Sequence, residues 1–308
     1  MKTAIFLSYK GLGSNLLHLS YCHQISKKFG PLKLITLNNK INQILKFDHH
    51  FDEVIYLDSY YKKTADIFKL AGFFKKLKLD QIFIFYPSAR YFLASKIAGI
   101  KKIHHYPLFR KNELHLVESA KKFTERVINI SQCPTETKIH VDKQNLGIKK
   151  NNNFKSIILG IGSSGPTTKW GYEKYISLIN HLNERYNLNF YLLCGSNETD
   201  GANKIINSVN KKNVTSLSNK DIEEVLHYIN ICDLYIGNDS FGHHISSQLG
   251  KPSFILLLDT PRAYSDYSKN QIQIIPKGYD INKISHDTKV NPNLISVEMI
   301  FLKIQNFI

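Results

Sequence analysis

The sequence predicts an α/β fold of two Rossmann-like, doubly wound domains, residues 1–150 and 151–308, facing each other across a cleft. Three observations lead there. From Ala4 to Ile130, short apolar runs alternate with amphipathic stretches, the pattern of βα units around a parallel sheet. Residues 131–154 interrupt that alternation with Pro134, Gly147 and the run Lys149-Lys150-Asn151-Asn152-Asn153, a linker composition. The alternation then restarts and runs to the end of the chain. A length of 308 residues accommodates two such domains, each large enough to bury its own core.

The elements follow in order. Ala4–Leu7 reads as a strand, Leu16–Phe29 as a helix, and Leu32–Thr36 and Val54–Leu57 as strands. Thr64–Leu79 reads as a helix with Ile67, Ala71, Phe74 and Leu77 on one face and lysines at 69, 75, 76 and 78. That stripe either packs on the sheet or lies against anionic lipid. Ile82–Tyr86 is the next strand, followed by helices over Arg90–Ala98 and Leu114–Ile130. In the second half, Ser156–Ile161 is a strand. Tyr172–Tyr186 is a helix with Tyr175, Leu178, Ile179 and Leu182 at the spacing of one buried face. Asn189–Leu193 is a strand, and Asp200–Asn210 and Asp221–Asn230 are helices. Residues 234–258 read as strand, polar turn, short helix and strand, then comes a strand over Gln271–Ile275. A closing helix starts near Pro292 and is free to pack back on the first domain.

Composition narrows the functional classes. Hydrophobic residues make up 43% of the chain, and no run reaches the ~18 apolar residues of a membrane span. Met1 to Leu7 enters an apolar strand directly, without a signal peptide's long apolar region. A cytoplasmic location is expected. Cys22, Cys133, Cys194 and Cys232 lack Cys-x-x-Cys spacing and read as reduced, mostly buried thiols. The pairs His49-His50 and His104-His105 are sequence neighbours, which point to opposite faces of a strand. No metal site is read.

Net charge is +16, and residues 1–150 carry 26 Lys+Arg against 11 Asp+Glu. Residues 151–308 are nearly balanced, with 15 against 14. The basic half is either a solvated lysine-rich surface or a face that meets an anionic partner, such as a membrane or an acidic substrate. The chain has no nucleic-acid recognition motif, so nucleic acid is not an expected partner, although the basic half keeps that reading open.

Two segments carry chemistry. The first is Gly237-Asn238-Asp239-Ser240-Phe241-Gly242-His243-His244, continuing to Leu249-Gly250-Lys251-Pro252. It places small and acidic residues where a strand ends and a helix begins. Such a helix end offers free N–H groups and partial positive charge to a phosphate, and ligands bind outside the carboxyl ends of parallel strands. Asp239 and Ser240 are also good N-cap residues, and the two roles can coexist. The second segment is Gly160-Ile161-Gly162-Ser163-Ser164-Gly165-Pro166-Thr167-Thr168-Lys169-Trp170-Gly171. Its small residues admit a ligand close to the backbone, and Lys169 adds a point charge suited to phosphate. It is neither a P-loop nor a Gly-x-Gly-x-x-Gly fingerprint. Taken alone, Lys169 is one exposed lysine among dozens.

These segments resemble family 9 glycosyltransferases, the heptosyltransferase-like group. Asp239, Ser240, His244, Leu249, Gly250 and Pro252 match that family's Asp-(Ser/Thr)-Gly-x-x-His…Leu-Gly-x-Pro signature. Phe241 stands where the family has Gly, and Gly242 follows one place later. Lys169-Trp170 matches the family's lysine–tryptophan element. The resemblance implies the GT-B architecture, a donor nucleotide held mainly by the second domain, and an acceptor held by the first. It implies that Lys169 contacts the donor diphosphate, with Ser163, Thr167 and Thr168 as hydrogen-bond partners. Ser240, Phe241, Gly242 and His243 would line the diphosphate pocket through main-chain donors, the turn from Asp239 to Gly242 would stabilise the departing diphosphate, and His244 would orient sugar or phosphate. Glu198 falls near an acidic residue that in the family meets the ribose, where a carboxylate suits a vicinal diol.

In the first half, Lys10-Gly11-Leu12-Gly13-Ser14-Asn15 resembles the family's opening Gly-Leu-Gly-Asp turn. The family's aspartate, its general base, is Ser14 here. A neutral serine cannot take that proton unaided. Ser14 then positions the acceptor, or His18 or His23 serves as base, or the chain is catalytically weak. A partly buried structural role for His18 competes with the first use. Gly13, Asn15 and Arg90 are the acceptor-side candidates. The expected activity is metal-independent transfer of heptose or a related sugar from a nucleotide diphosphate donor. The acceptor is an anionic lipopolysaccharide-core glycan or a lipid-linked one, in cell-envelope synthesis. The nucleotide-sugar is a substrate, and no cofactor is expected. Peripheral contact with an anionic membrane through the basic half fits that role. The alternative is a catalytically inactive nucleotide- or glycan-binding protein on the same scaffold.

Overall fold

Five parallel strands build the first sheet: β1 (Thr3–Leu7), β2 (Leu32–Thr36), β3 (Phe51–Tyr56), β4 (Gln81–Ile84) and β5 (Lys102–His105), in the order β3-β2-β1-β4-β5. The computed structural model describes residues 1–58, 63–107, 115–142, 147–148, 150, 153–163, 165–286 and 288–308. It divides the chain into two units, Met1–His140 and Val141–Ile308. The order in which successive strands are laid down reverses between β1 and β4, which makes their carboxyl ends the switch point of the first unit.

The helices of this unit are α1 (Leu12–Leu17), α2 (Leu19–Phe29), α3 (Ile41–Ile44), α4 (Ile67–Leu77), α5 (Ala89–Ile97) and α6 (Leu116–Ile128). The expected helix Leu16–Phe29 is broken at His18, and the break has a local cause. The His18 ring donates Nδ1–H to the Ser14 carbonyl at 2.6 Å. Its backbone N–H turns instead to Asn15 O at 3.1 Å, one residue short of the α-helical partner. The expected helix Thr64–Leu79 opens as a 3-10 turn over Thr64–Asp66. It stops at Leu77, where Lys78 adopts the left-handed conformation. Leu70, Ala71 and Phe74 are buried on the sheet, with Ile67 and Leu77 packed at the margin. Asn129, also left-handed, ends α6. Leu114, the expected start of that helix, lies outside the described residues.

The second sheet holds β6 (Lys155–Gly160), β7 (Leu188–Leu193), β8 (Val214–Ser216), β9 (Leu234–Asn238), β10 (Ser253–Leu256) and β11 (Gln271–Ile274), in the order β11-β10-β9-β6-β7-β8. All pairings are parallel. This is the strand order of a dinucleotide-binding sheet, and its switch point lies between β6 and β9. Around it lie α7 (Tyr172–Asn183), α8 (Thr199–Ser208), α9 (Ile222–Ile231), α10 (Phe241–Gln248) and α11 (Val297–Ile304). Tyr175, Leu178, Ile179 and Leu182 form the buried face of α7. The closing helix begins at Val297 rather than near Pro292, because Ser296 caps it by accepting from Met299 N at 3.1 Å. Its Ile300 and Ile304 complete the core of the second unit against α7.

Within the expected linker, Lys149, Asn151 and Asn152 lie outside the described residues. Cys22, Cys133, Cys194 and Cys232 are all buried and free. Among the described residues, no helix is long and apolar enough to cross a membrane.

Candidate functional site

The carboxyl ends of β6 and β9 bring together the two segments that the sequence singles out. The hinge between them is Asn238, the last residue of β9 and fully buried. Its Oδ1 accepts from Trp170 N at 2.9 Å, and its Nδ2 donates to Ile161 O at 2.8 Å. Both ends of the loop after β6 are thereby tied to the turn after β9. Ser163 adds a third tie, its Oγ donating to Asp239 O at 3.2 Å. Trp170 anchors the loop from below, with Nε1–H donated to Ile295 O at 2.9 Å and its ring edge-on to Tyr175.

Within that frame, Ser163 Oγ and Thr168 Oγ1 are 2.5 Å apart, and Thr168 also donates to Gly165 O at 2.8 Å. Thr167 is exposed at the loop's outer side. Ser164 lies outside the described residues. Lys169 Nζ reaches Glu198 Oε1 at 2.5 Å. That hydrogen bond holds the Lys169 ammonium above the usual lysine range, against the opposing effect of burial. Glu198 is held from three sides, because Gly195 N donates to Oε2 at 3.1 Å and Ser163 N to Oε1 at 3.4 Å. Gly162 makes this possible. A Cβ there would collide with the Glu198 carboxylate and with Cys194.

The turn after β9 differs from expectation in two places. Ser240, not Asp239, caps α10, its Oγ accepting from Gly242 N at 3.4 Å. The Asp239 carboxylate instead accepts from His243 Nε2 at 2.5 Å. His244 packs inward against Tyr267. It is buried, and its Nδ1 meets Tyr267 Oη at 2.7 Å. Burial, reinforced by the neighbouring His243, pushes its pKa well below the usual histidine range. The displaced glycine also has a physical reason. A Cβ at Gly242 would strike Leu193 and Tyr235, so this helix start needs its glycine one position later than the family's.

In the first unit, Gly13 and Ser14 lie in α1 and are partly exposed. Asn15 is a correction. It is fully buried, with Nδ2 donating to Tyr9 O at 2.9 Å and Gly11 O at 2.8 Å, and Oδ1 accepting from Thr36 Oγ1 at 2.8 Å. Its amide fixes the turn after β1, with both of its N–H donors taken by backbone carbonyls. His18 is likewise fully buried and stacked on Tyr9. Burial lowers its pKa to about 4. A group so weakly basic offers little driving force for deprotonating a hydroxyl at neutral pH. His23 is buried between Asp48, at 2.8 Å from Nε2, and Thr137, at 2.5 Å from Nδ1. Arg90 opens α5 with its guanidinium over the Tyr91 ring, 5.1 Å from the centroid.

Among the described residues, two side-chain groups have donor atoms close enough for a cation: His23 with Asp48 and His50, and Asp239 with His243 and His244. In the first, both imidazoles hydrogen-bond Asp48 and stack face to face, 4.1 Å between centroids. Stacked rings direct their in-plane lone pairs side by side rather than at a common point. Sequence reasoning missed Asn238 and the His243 side chain. A polar residue ending an otherwise apolar strand was the one available signal for Asn238.

Known proteins share this fold. The sequence family described as glycosyltransferase family 9 (heptosyltransferase) matches residues 95–292. A Haemophilus influenzae protein named "Putative glycosyltransferase" is 26% identical over 174 residues, covering 54% of this chain and 48% of that relative. The match thus spans about half of the relative's length. The fold is similar to the family 9 glycosyl transferase from Veillonella parvula, with a TM-score of 0.81 at 15% identity over 99% of this chain and 96% of that one. It is also similar to ADP-heptose lipopolysaccharide heptosyltransferase II of E. coli, with a TM-score of 0.76 at 14% identity over 100% and 98% of the two chains.

Proposed function

This chain belongs to glycosyltransferase family 9, and from that premise we propose that it moves a heptose or related sugar from a nucleotide diphosphate donor to an anionic or lipid-linked glycan. The observation that carries this reading is the junction at the second switch point. There, Ser163, Asn238 and Trp170 lock the lysine loop to the Asp239 turn. Lys169 and the first amides of α10 are then the cationic and N–H groups that stabilise charge on the departing diphosphate. Such preorganised electrostatics usually dominate transfers of this kind. Glu198 receives the ribose diol. The E. coli neighbour's name specifies ADP-heptose, which makes an adenine nucleotide the first donor to try.

On the acceptor side, Ser14, Gly13 and Arg90 position the incoming hydroxyl. The rate enhancement then rests on leaving-group stabilisation at the donor, because Ser14 stands in place of the family's carboxylate and His18 is buried. The reaction needs no metal on this reading, since Lys169 and the helix end supply the positive charge. We place the protein in the cytoplasm at the inner face of the membrane. The basic surplus of residues 1–150 and the exposed Phe68, Leu93 and Ile97 of α4 and α5 support that position.

Lys169→Ala tests the reading directly. It should weaken nucleoside diphosphate binding by about tenfold or more, roughly 1.4 kcal/mol. Unchanged affinity removes the diphosphate role. A thermal-shift screen of nucleotide-sugars then identifies the donor, since a ligand that binds only the folded chain raises the melting temperature.

A further inference from the structure

His243 makes a side-chain contact that the sequence did not announce. The ring is fully buried at the first turn of α10, between Asp239 on one side and Gln271, the first residue of β11, on the other. Nε2 lies 2.5 Å from Asp239 Oδ1, and Nδ1 lies 3.2 Å from Gln271 Nε2. The direction of each bond can be assigned. Gln271 Oε1 accepts from Tyr267 N at 3.1 Å and Ser268 N at 3.2 Å, so its NH2 group must face the histidine. An NH2 group only donates, so His243 Nδ1 is the bare nitrogen and Nε2 carries the hydrogen. That hydrogen is donated to Asp239.

This chain of bonds has a consequence for the helix end. An aspartate at the N-cap turns its carboxylate onto the first amides, and Asp239 is one residue away from that position. At α10 such a carboxylate would occupy the N–H groups that a phosphate needs and would repel the phosphate by like charge. Here Ser240 caps the helix, and the carboxylate is drawn to the His243 ring instead. We infer that His243, fixed in one tautomer by Gln271, is a positioning residue that holds the Asp239 carboxylate away from the α10 amides that Ser240 does not cap, so that those stay open to the donor diphosphate. The inference rests on the donor-site reading above.

Titration of ADP into the full-length chain tests it. His243→Leu keeps the bulk but lacks the donor, and should weaken ADP binding fivefold or more. His243→Gln sets an amide nitrogen near the position of Nε2 and should stay within twofold of the parent. Gln271→Met frees the tautomer and should lose affinity in the same direction as His243→Leu, which decides the matter if the latter does not fold. The two residues act through Asp239, so His243→Leu placed on Asp239→Asn should change affinity by less than a further twofold, whereas a merely structural role would add its full loss again. Unchanged ADP affinity in both His243→Leu and Gln271→Met overturns the inference, as does full additivity with Asp239→Asn. Lys169→Ala separates the two levels. If it abolishes ADP binding while the His243 variants are silent, only the positioning role falls. If it too is silent, the donor-site reading falls.

Discussion

Lys169 Nζ lies 2.5 Å from Glu198 Oε1, joining the loop after β6 to the turn after β7. The two groups that the family resemblance assigns to different parts of a nucleotide are therefore paired with each other. In the proposed donor site, a diphosphate would compete with Glu198 for the ammonium, and a ribose with Lys169 for the carboxylate. A nucleoside diphosphate would satisfy both groups at once, whereas inorganic pyrophosphate would satisfy only the lysine.

Glu198→Gln should therefore separate the two ligands. Pyrophosphate binding should strengthen by about threefold, roughly 0.6 kcal/mol, because the competing charge is gone. ADP binding should weaken, because an amide offers a single acceptor oxygen to the diol. Calorimetric titration of both ligands reads the ratio. Parallel changes in the two affinities would show that Glu198 does not distinguish ribose from phosphate.

Asn238→Ala should destabilise the second unit by about 2–3 kcal/mol. It leaves the Trp170 N–H and the Ile161 carbonyl buried without partners. Urea unfolding measures this. A loss below about 0.5 kcal/mol, the range of ordinary surface changes, would mean that the loop is held by other contacts.

Much of this architecture was legible because parallel strands are buried on both faces and read as apolar runs. β2 carries the expected bounds, Leu32–Thr36, and α7 buries the four residues its spacing marks. What escaped were edges and side-chain bonds. β5 is Lys102–His105, with three polar residues of four and partly exposed at the sheet edge, so it has no apolar run to find. β8 has three residues at the other sheet's edge, too short for any period. The break at His18 depends on where one imidazole points, and the Asp239–His243 bond on the glutamine behind it. The donor-side motifs lay within one βαβ span each and could be matched, while Asn238, which joins them, works only through a fold that brings β6 beside β9.

The buried histidines set the acid response. His18 has its pKa lowered from 6.5 to about 4 by burial, and His244 is lowered as well. The unfolded chain therefore binds more protons than the native one between those two values. The sign follows from linkage: stability is full above pH 6.5 and falls as the pH drops toward 4. His18 alone accounts for about 3 kcal/mol of that loss at 1.36 kcal/mol per pH unit. Unfolding free energies of His18→Phe, measured from pH 7 to 4, should show a shallower decline than the parent. Identical slopes would mean that His18 does not titrate with folding.

The proposed membrane contact makes the last prediction. α4 and α5 pack side by side over one face of the first sheet, and their outer positions combine Phe68 at 73%, Leu93 at 46% and Ile97 at 52% exposure. Lys75 and Lys76 on α4 and Lys96 on α5 are exposed on the same two helices, whose acidic neighbour Asp66 is buried. Apolar side chains supply insertion, and each lysine near an anionic surface adds about 1 kcal/mol. The protein should sediment with phosphatidylglycerol vesicles, and less so with phosphatidylcholine vesicles or in high salt. Lys75→Gln with Lys76→Gln should weaken that binding by about 2 kcal/mol, near thirtyfold. Phe68→Ser should weaken it further without changing the salt dependence, because it removes buried area rather than charge. Equal binding to neutral and anionic vesicles would remove the electrostatic contact. Binding that survives both sets of substitutions would assign it to another face of the protein.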